Sequence, residues 1–402
     1  MLNMQFEIES INKSTLNYTY NIDESLEVLD AKDVSYNYFF QNFMLPNKPC
    51  VIKSISEDWN CPKDWIENDK INIKYLGQHY GSDEVTVYDC KERYFNTQKS
   101  KKITFKEYLN EAQVSESHVS FPLEEYVKNW HLKLNHTDDN FYEVPIFFAS
   151  DWLNEFYIEN TSDDYRFVYM GSDKTWTPFH VDVFTSYSWS VNVYGKKKWL
   201  LFPPGEEEFL KDELGNIPYS ILSKNSTSIG DRKYYEVIQH SGEAIFVPAG
   251  WHHEVYNLGD TISINHNWIN GCNIHSMYRA LLSNLRDIKI EIQDCKDMED
   301  FEQHCQIMLN ALFGMDLKMF YEFLKFIATK RIRMIENEPE RVMYHGHIIG
   351  INHILFDLRA IREVLEIFVQ YEEIELLDYF SDTNYSPQRL LEEIDFKLKL
   401  SD

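Results

Sequence analysis

The sequence is poor in the features that define several large classes of protein. Its 402 residues include only six cysteines and no Cys-x-x-Cys pair, which argues against a disulfide-stapled fold and favours reduced thiols. No segment approaches the ~18 consecutive apolar residues of a membrane-spanning helix, and the first residues lack the basic and apolar regions of a secretory signal. We therefore expect a soluble protein without a membrane partner, located in the cytoplasm and also compatible with the nucleus.

Positive charge is scarce as well, since 39 Lys and Arg stand against 65 Asp and Glu and the formal net charge is -26. Such a surface repels phosphate backbones, so we expect no nucleic-acid partner, whereas a basic protein partner is electrostatically favoured. Hydrophobic residues make up 44% of the chain and aromatic residues 15%, which is typical of an ordered globular protein with a large core.

The chain has no internal repeat, no low-complexity tract and no linker rich in proline or glycine. In its first third, apolar spacing predicts a helix within residues 22–43, a strand at residues 50–55 and a short strand at residues 85–87. A Thr, Glu and Leu pattern predicts a capped helix at residues 104–112. This part of the sequence contains no recognisable catalytic motif.

Residues 167–268 change to short β-rich segments separated by turn residues, which predicts a sandwich or barrel. These segments read FVYMG, WTPFHVDVF, YSWSVNVYG, KKWLLFPP, EAIFVPAG, HHEVYNL and TISINHNWI. A polar stretch at residues 223–233 predicts a mobile loop between strands. From residue 274 onward the apolar spacing becomes helical, and we expect these helices to pack onto the β domain.

The segment TPFHVDVF contains a candidate metal-binding pair. Side chains alternate along a strand, so His180 and Asp182 share one face. A third ligand has to come from a distant strand, and His252 and His253, after a Pro-Ala-Gly turn, are candidates of which only one can point the same way. His-x-Asp alone is a weak signal, because a surface histidine or a hydrogen-bonded core histidine explains it equally well.

Two imidazoles and one carboxylate on one face of a metal leave three positions open, which is typical of non-haem Fe(II) oxygenases. A structural zinc site would close its shell with four protein ligands, usually including thiolates, and no cysteine lies at ligand spacing from these histidines. A zinc-dependent hydrolase is a weaker alternative.

An anion-binding group is suggested by YGKKKWLLFPP, where Lys197 shares a strand face with Trp199 and Leu201. A basic triplet is more often a solvated face, so the pattern alone leaves both interpretations open; a buried lysine would need an anion. In TISINHNW, Ser263 and Asn265 belong to a polar face that either lines a cavity or faces solvent.

The segments TWTPFHVDVF, SWSVNVYGKKKWLLFPPG and FVPAGWHHEVYNLGDTISINHNWING resemble the jumonji C oxygenases over residues 45–273. The resemblance implies a mainly β fold with helical additions, built on a double-stranded β-helix of the jelly-roll, cupin-like type. We accordingly expect an N-terminal supporting region at residues 1–135, the catalytic domain at residues 136–273 and a helical region at residues 274–402.

Matched position by position, the resemblance implies Fe(II) ligands and contacts to the co-substrate 2-oxoglutarate. The expected iron ligands are His180, Asp182 and His253. Lys197 and Thr177 match residues that contact 2-oxoglutarate, and Tyr126 and Asn265 are further expected contacts. Asn265 stands where related hydroxylases often have threonine.

The activity that the resemblance implies is hydroxylation of a lysine carbon in the translation termination release factor, which promotes termination. Dioxygen and 2-oxoglutarate would be consumed and succinate formed. Two alternatives are a histone N-methyl-lysine demethylase, for which no zinc-finger reader spacing is found, and a non-catalytic scaffold. Some jumonji C proteins dimerise through C-terminal helices, so a dimer is possible.

Overall fold

The computed structural model describes residues 4–9, 25–114, 119–222, 233–381 and 386–401. The mobile loop predicted at residues 223–233 lies outside these ranges except for its last residue. None of the described helices combines the length and the apolar character that crossing a bilayer requires.

Strands make up the centre of the described structure. In chain order they are β1 Gln5–Phe6, β2 Val28–Asp30, β3 Cys50–Lys53, β4 Ile66–Glu67, β5 Lys70–Ile71, β6 Glu84–Tyr94, β7 Thr97–Thr104, β8 Gln113–Val114, β9 Val119–Ser120, β10 Glu125–Trp130, β11 Arg166–Gly171, β12 Trp176–His180, β13 Tyr187–Tyr194, β14 Lys197–Phe202, β15 Tyr235–Gln239, β16 Ala244–Val247, β17 His252–Asn257, β18 Thr261–Trp268 and β19 Ile348–Ile349.

Helices surround the strands and form most of the C-terminal region. They are α1 Tyr36–Phe39, α2 Cys61–Trp65, α3 Ile73–Tyr80, α4 Phe105–Asn110, α5 Leu132–Asn135, α6 Trp152–Asn160, α7 Ile274–Glu291, α8 Phe301–Phe313, α9 Leu317–Glu336, α10 Ile351–Phe368, α11 Asp378–Ser381 and α12 Pro387–Ser401. A π-helical turn, Phe40–Met44, continues α1.

Eight consecutive strands, β11 to β18, form a double-stranded β-helix. The larger sheet has nine strands in the order β2-β3-β16-β13-β18-β11-β10-β6-β7, and the smaller has four in the order β12-β17-β14-β15. Successive strands of the eight alternate between the two sheets except β14 and β15, which are neighbours in the smaller sheet, and all pairs among the eight are antiparallel. The N-terminal strands extend the larger sheet on both sides without closing a barrel. The predicted fold class is confirmed.

The two sheets face each other across a shared apolar core. Val51, Ile245 and Val247 of the larger sheet pack with Trp199 and Leu201 of the smaller one, all at most 5% exposed. Burial of this apolar surface holds the two sheets together.

The first third of the chain confirms part of the prediction and corrects the rest. Strand β3 lies where it was expected, and α4 begins with a reciprocal cap between Thr104 and Glu107. The helix predicted within residues 22–43 is wrong over its first half, because Val28–Asp30 is a strand. It pairs in parallel with β3, and this sheet pairing outweighs the local helical spacing. The helix begins only at Tyr36.

The C-terminal helices pack onto the β domain through a buried ionic network. Arg331 of α9 is fully buried; its guanidinium donates to Glu155 of α6 at 2.8 and 3.0 Å and to Asp357 of α10 at 2.7 Å. The indole of Trp152 also donates to Asp357, at 3.0 Å. This network joins three helices, and the expected helical region is confirmed. The boundaries at residues 135 and 273 stay a prediction.

Candidate metal centre

Three side chains with metal-binding atoms converge where β12 ends. His180 is the last residue of β12 and lies opposite His253 of β17 in register, with ring centroids 4.2 Å apart. Asp182 follows two residues later in an extended conformation, with φ -64° and ψ 151°, so its carboxylate turns to the same side. One ligand atom from each of the three lies within 4.8 Å of the others.

Backbone carbonyls orient both imidazoles. Nδ1 of His180 donates to the carbonyl of Pro178 at 2.8 Å, and Nδ1 of His253 donates to that of Trp251 at 3.0 Å. A carbonyl oxygen can only accept, so each Nδ1 carries a proton, and in the neutral form of each ring Nε2 offers a lone pair. This is the tautomer that a ligand of a metal ion requires.

A side-chain hydroxyl orients the carboxylate of Asp182. Oδ2 of Asp182 accepts a hydrogen bond of 2.6 Å from the hydroxyl of Ser188 and lies 4.0 Å from Nε2 of His253. Burial, followed by the neighbouring His253, lowers the pKa of His180, which keeps this imidazole neutral. Two neutral imidazoles and one carboxylate fit a divalent iron ion, and no thiolate belongs to this group of described residues.

The turn before β17 decides which of the two adjacent histidines reaches the group. Gly250 has a φ of 77°, a left-handed conformation that glycine adopts without strain. His252 then turns away: its ring lies 5.4 Å from that of Phe179, and its Nδ1 is 3.7 Å from the carboxylate of Glu207. His253 is thus the histidine that joins His180.

Lys197 of β14 is buried, which decides between the two interpretations that its sequence pattern left open. Its side chain donates to the hydroxyl of Ser263 at 2.6 Å and to that of Tyr126 at 3.3 Å, and the residue is only 2% exposed. No carboxylate among the described residues lies within 4.0 Å of its ammonium. Burial lowers the pKa of Lys197 to about 7, with a smaller contribution from Lys128. The ammonium is therefore buried without a carboxylate partner among the described residues.

The three other residues predicted to contact 2-oxoglutarate differ in how they are connected to Lys197. Tyr126 reaches Lys197, and the amide of Asn265 donates to the hydroxyl of Ser263 at 3.1 Å. Thr177 is half-buried in β12, and within the described structure its hydroxyl forms no hydrogen bond with Lys197, Tyr126 or Asn265.

Two polar residues of the site were missed by the sequence analysis. Ser188 holds the carboxylate of Asp182, but one serine in a strand carries no signal of such a role. Lys128 of β10 is 7% exposed and follows Tyr126 on the same strand face. A strand prediction for the segment EYVKNW would have placed Tyr126 and Lys128 on one face, and this was the available signal.

Comparison with known proteins assigns the family. Residues 36–273 match the cupin-like domain family. The 2-oxoglutarate and iron-dependent oxygenase JMJD4 of Danio rerio is 39% identical over 385 residues, covering 90% of each chain. JMJD4 of Mus musculus is 40% identical over 381 residues, which cover 90% of this chain and 88% of the mouse protein. The arginine-specific demethylase JMJ20 of Arabidopsis thaliana is 37% identical over 338 residues, covering 79% of this chain and 73% of its own.

The family match at residues 36–273 includes His180, Asp182 and His253, and each of the two JMJD4 relatives covers 90% of this chain. The chain therefore belongs to the jumonji C group of the cupin-like proteins, the family of 2-oxoglutarate and iron-dependent oxygenases.

Proposed function

We propose that the protein is an Fe(II)- and 2-oxoglutarate-dependent protein hydroxylase whose iron is held by His180, Asp182 and His253. The observation that carries the proposal is the convergence of their ligand atoms within 4.8 Å, beside the buried ammonium of Lys197. With 2-oxoglutarate and dioxygen, bound Fe(II) supplies the oxidation of an unactivated C–H bond.

The protein's own contribution at the metal is preorganisation. The carbonyls of Pro178 and Trp251 fix the two imidazole rings, and Ser188 fixes the carboxylate of Asp182. Three ligands supplied from one side leave the remaining positions for 2-oxoglutarate and dioxygen. Because these partners are already in place, metal binding requires little rearrangement of the ligands.

Lys197 is the residue we assign to the distal carboxylate of 2-oxoglutarate. Its ammonium is desolvated and lacks a carboxylate partner in the described structure, so an entering anion gains a strong charge-assisted hydrogen bond. Tyr126 and Ser263 hold the lysine side chain in place, and Asn265 supports Ser263. Thr177, on the same strand as His180, completes the proposed set of contacts.

For the substrate we propose a lysine side chain of the translation termination release factor, hydroxylated at carbon. Likeness of the sequence motifs to jumonji C lysyl hydroxylases supports this choice, and the net charge of -26 favours a basic protein partner. The thiols, free in the described structure, fit the cytoplasm.

The test is succinate formation by the purified protein with Fe(II) and 2-oxoglutarate, offered the intact release factor. We expect succinate to rise with the substrate and mass spectrometry to find an added oxygen on one lysine. Both signals should disappear in His180→Ala and persist in His252→Gln, a matched change at the histidine outside the group. No iron-dependent turnover with any basic protein would instead favour the non-catalytic scaffold.

Demethylation is the second candidate, because one relative at 37% identity is named an arginine-specific demethylase. The same metal centre would then oxidise an N-methyl group. Products separate the two reactions: hydroxylation adds an oxygen to the substrate, whereas demethylation removes a methylene and releases formaldehyde. Methylated histone and release-factor peptides, assayed side by side, would decide between them.

A further inference from the structure

A second buried lysine near the metal centre has no role in the site described so far. Lys128 is 7% exposed, and its ammonium donates to the side-chain carbonyl of Gln98 at 2.6 Å. The ammonium also lies 4.4 Å from the ring centre of Tyr88. An ammonium carries three donors, and no carboxylate of the described residues lies within 4.0 Å of this one. A buried cation so poorly paired is costly unless it binds an anion.

Two contacts link Lys128 to the strands that carry the candidate site. Gln98 is held by a 3.0 Å hydrogen bond from its amide to the carbonyl of Trp176, the first residue of β12. Tyr126, on the same strand face as Lys128, reaches Lys197. The ammonium of Lys128 lies 5.7 Å from the ring centre of Tyr126, so one side chain separates it from Lys197. Burial lowers the pKa of Lys128 to about 8.

The charge balance of the filled site decides which anion Lys128 would receive. Fe(II) and the ammonium of Lys197 together balance the carboxylate of Asp182 and the two carboxylates of 2-oxoglutarate. The positive charge of Lys128 is then left without a counter-charge, and the protein substrate is the one remaining component that could supply an anion. A buried cation at this place also repels a positively charged substrate segment unless a negative charge lies close to the target residue.

We propose that Lys128 is a specificity residue that binds an aspartate or glutamate side chain of the substrate segment, close to the residue to be oxidised. This inference rests on the proposed function, since it assumes that a protein segment enters the iron cavity. The proposed substrates are therefore restricted to protein segments that carry an acidic residue at a fixed distance from the target lysine.

The test uses fluorescent peptides with one central lysine and a single glutamate at each of the neighbouring positions, beside matched peptides with glutamine. Binding is measured by anisotropy to the full chain loaded with Mn(II) and 2-oxoglutarate, which needs no turnover. At one position the glutamate peptide should bind about tenfold more tightly, because its carboxylate gains a charge-assisted hydrogen bond from the buried ammonium. Lys128→Met should abolish the preference.

Lys99→Met is the control, since Lys99 follows Gln98 on strand β7, with its side chain 66% exposed and paired with Glu92. It should keep the preference. Lys128→Glu should reverse it toward a lysine peptide at the same position, an effect that a purely structural role does not produce. Melting curves of the variants check that they are folded.

Two results would overturn the proposal: no preference for glutamate at any position, or a preference that survives in Lys128→Met. Weaker binding of 2-oxoglutarate in Lys128→Met with peptide preference intact would assign the lysine to the co-substrate and also overturn it. A glutamate preference that depends on Lys128, without succinate formation, would support the binding role while refuting the hydroxylase.

Discussion

Replacing Lys197 by methionine should stabilise the folded protein while removing its affinity for 2-oxoglutarate. Methionine keeps the length and apolar stem of the side chain and removes the buried charge. The two effects have opposite signs because the buried ammonium lowers the stability of the fold when it has no anion, whereas it strengthens the binding of an anionic ligand. Such a trade-off is typical of a binding group and not of a residue selected for stability.

The size of the stabilisation follows from the pKa of Lys197, which burial lowers from 10.5 to about 7. At 1.36 kcal/mol for each pKa unit, holding the charge in the fold costs about 4 kcal/mol near pH 7. Losing the hydrogen bonds to Ser263 and Tyr126 costs about 1 kcal/mol each, so roughly 2 kcal/mol of net stabilisation remains.

The sign of the pH dependence is fixed by proton binding. Between about pH 7 and pH 10.5 the unfolded chain holds the lysine proton and the folded chain has lost it, so the stability of the natural protein rises with pH. The advantage of Lys197→Met should therefore shrink toward pH 10.5.

Urea denaturation near pH 7 and near pH 10 measures the stability difference, and calorimetry with Mn(II) present measures 2-oxoglutarate binding. Lys198→Met is the matched control: Lys198 is half-buried and pairs with Glu236 at 2.9 Å, so this change should leave 2-oxoglutarate binding unaltered. A Lys197→Met protein that is less stable near pH 7, or that binds 2-oxoglutarate normally, would refute the reasoning.

Three further predictions concern the ionic network, the metal site and the co-substrate. Arg331→Met leaves Glu155 and Asp357 buried with fewer partners, and urea denaturation should show a loss of about 3–5 kcal/mol; a change under 1 kcal/mol would contradict the role of the network. Ser188→Ala releases the carboxylate ligand, so Mn(II) titration should find about 10- to 100-fold weaker affinity with unchanged melting. Because Lys197 binds 2-oxoglutarate as an ammonium, calorimetry in several buffers should show proton uptake, and affinity should fall up to about tenfold per unit above pH 7; constant affinity to pH 9 would oppose this.

The strands of the double-stranded β-helix were largely predictable because their alternating or wholly apolar segments are bounded by turn residues. Strand β15, Tyr235–Gln239, was missed: it lies at the edge of the smaller sheet, where alternate residues face solvent. The long hairpin of β6 and β7 was predicted only at its start, since its outer half carries charged side chains. Edge strands of this kind carry a weak apolar signal.

In the site, alternation placed His180 and Asp182 together even though β12 ends at His180, because Asp182 keeps an extended backbone. The choice between His252 and His253 needed the family pattern, since either could face inward. The strand face allowed Lys197 to point inward, but its burial was expected only from the family resemblance, because a basic triplet is more often a solvated face. Lys128 was not, because the burial of an isolated lysine depends on strands that are distant in sequence, here the β6 and β7 hairpin with Gln98.

The most direct test of the metal centre compares His253→Ala with His252→Ala, two changes at neighbouring positions of β17. Iron binding is measured by anaerobic Fe(II) titration, and turnover by succinate release from 2-oxoglutarate. The account predicts that His253→Ala loses both iron binding and succinate release, whereas His252→Ala keeps them. Retained iron-dependent turnover in His253→Ala, or its selective loss in His252→Ala, would contradict it.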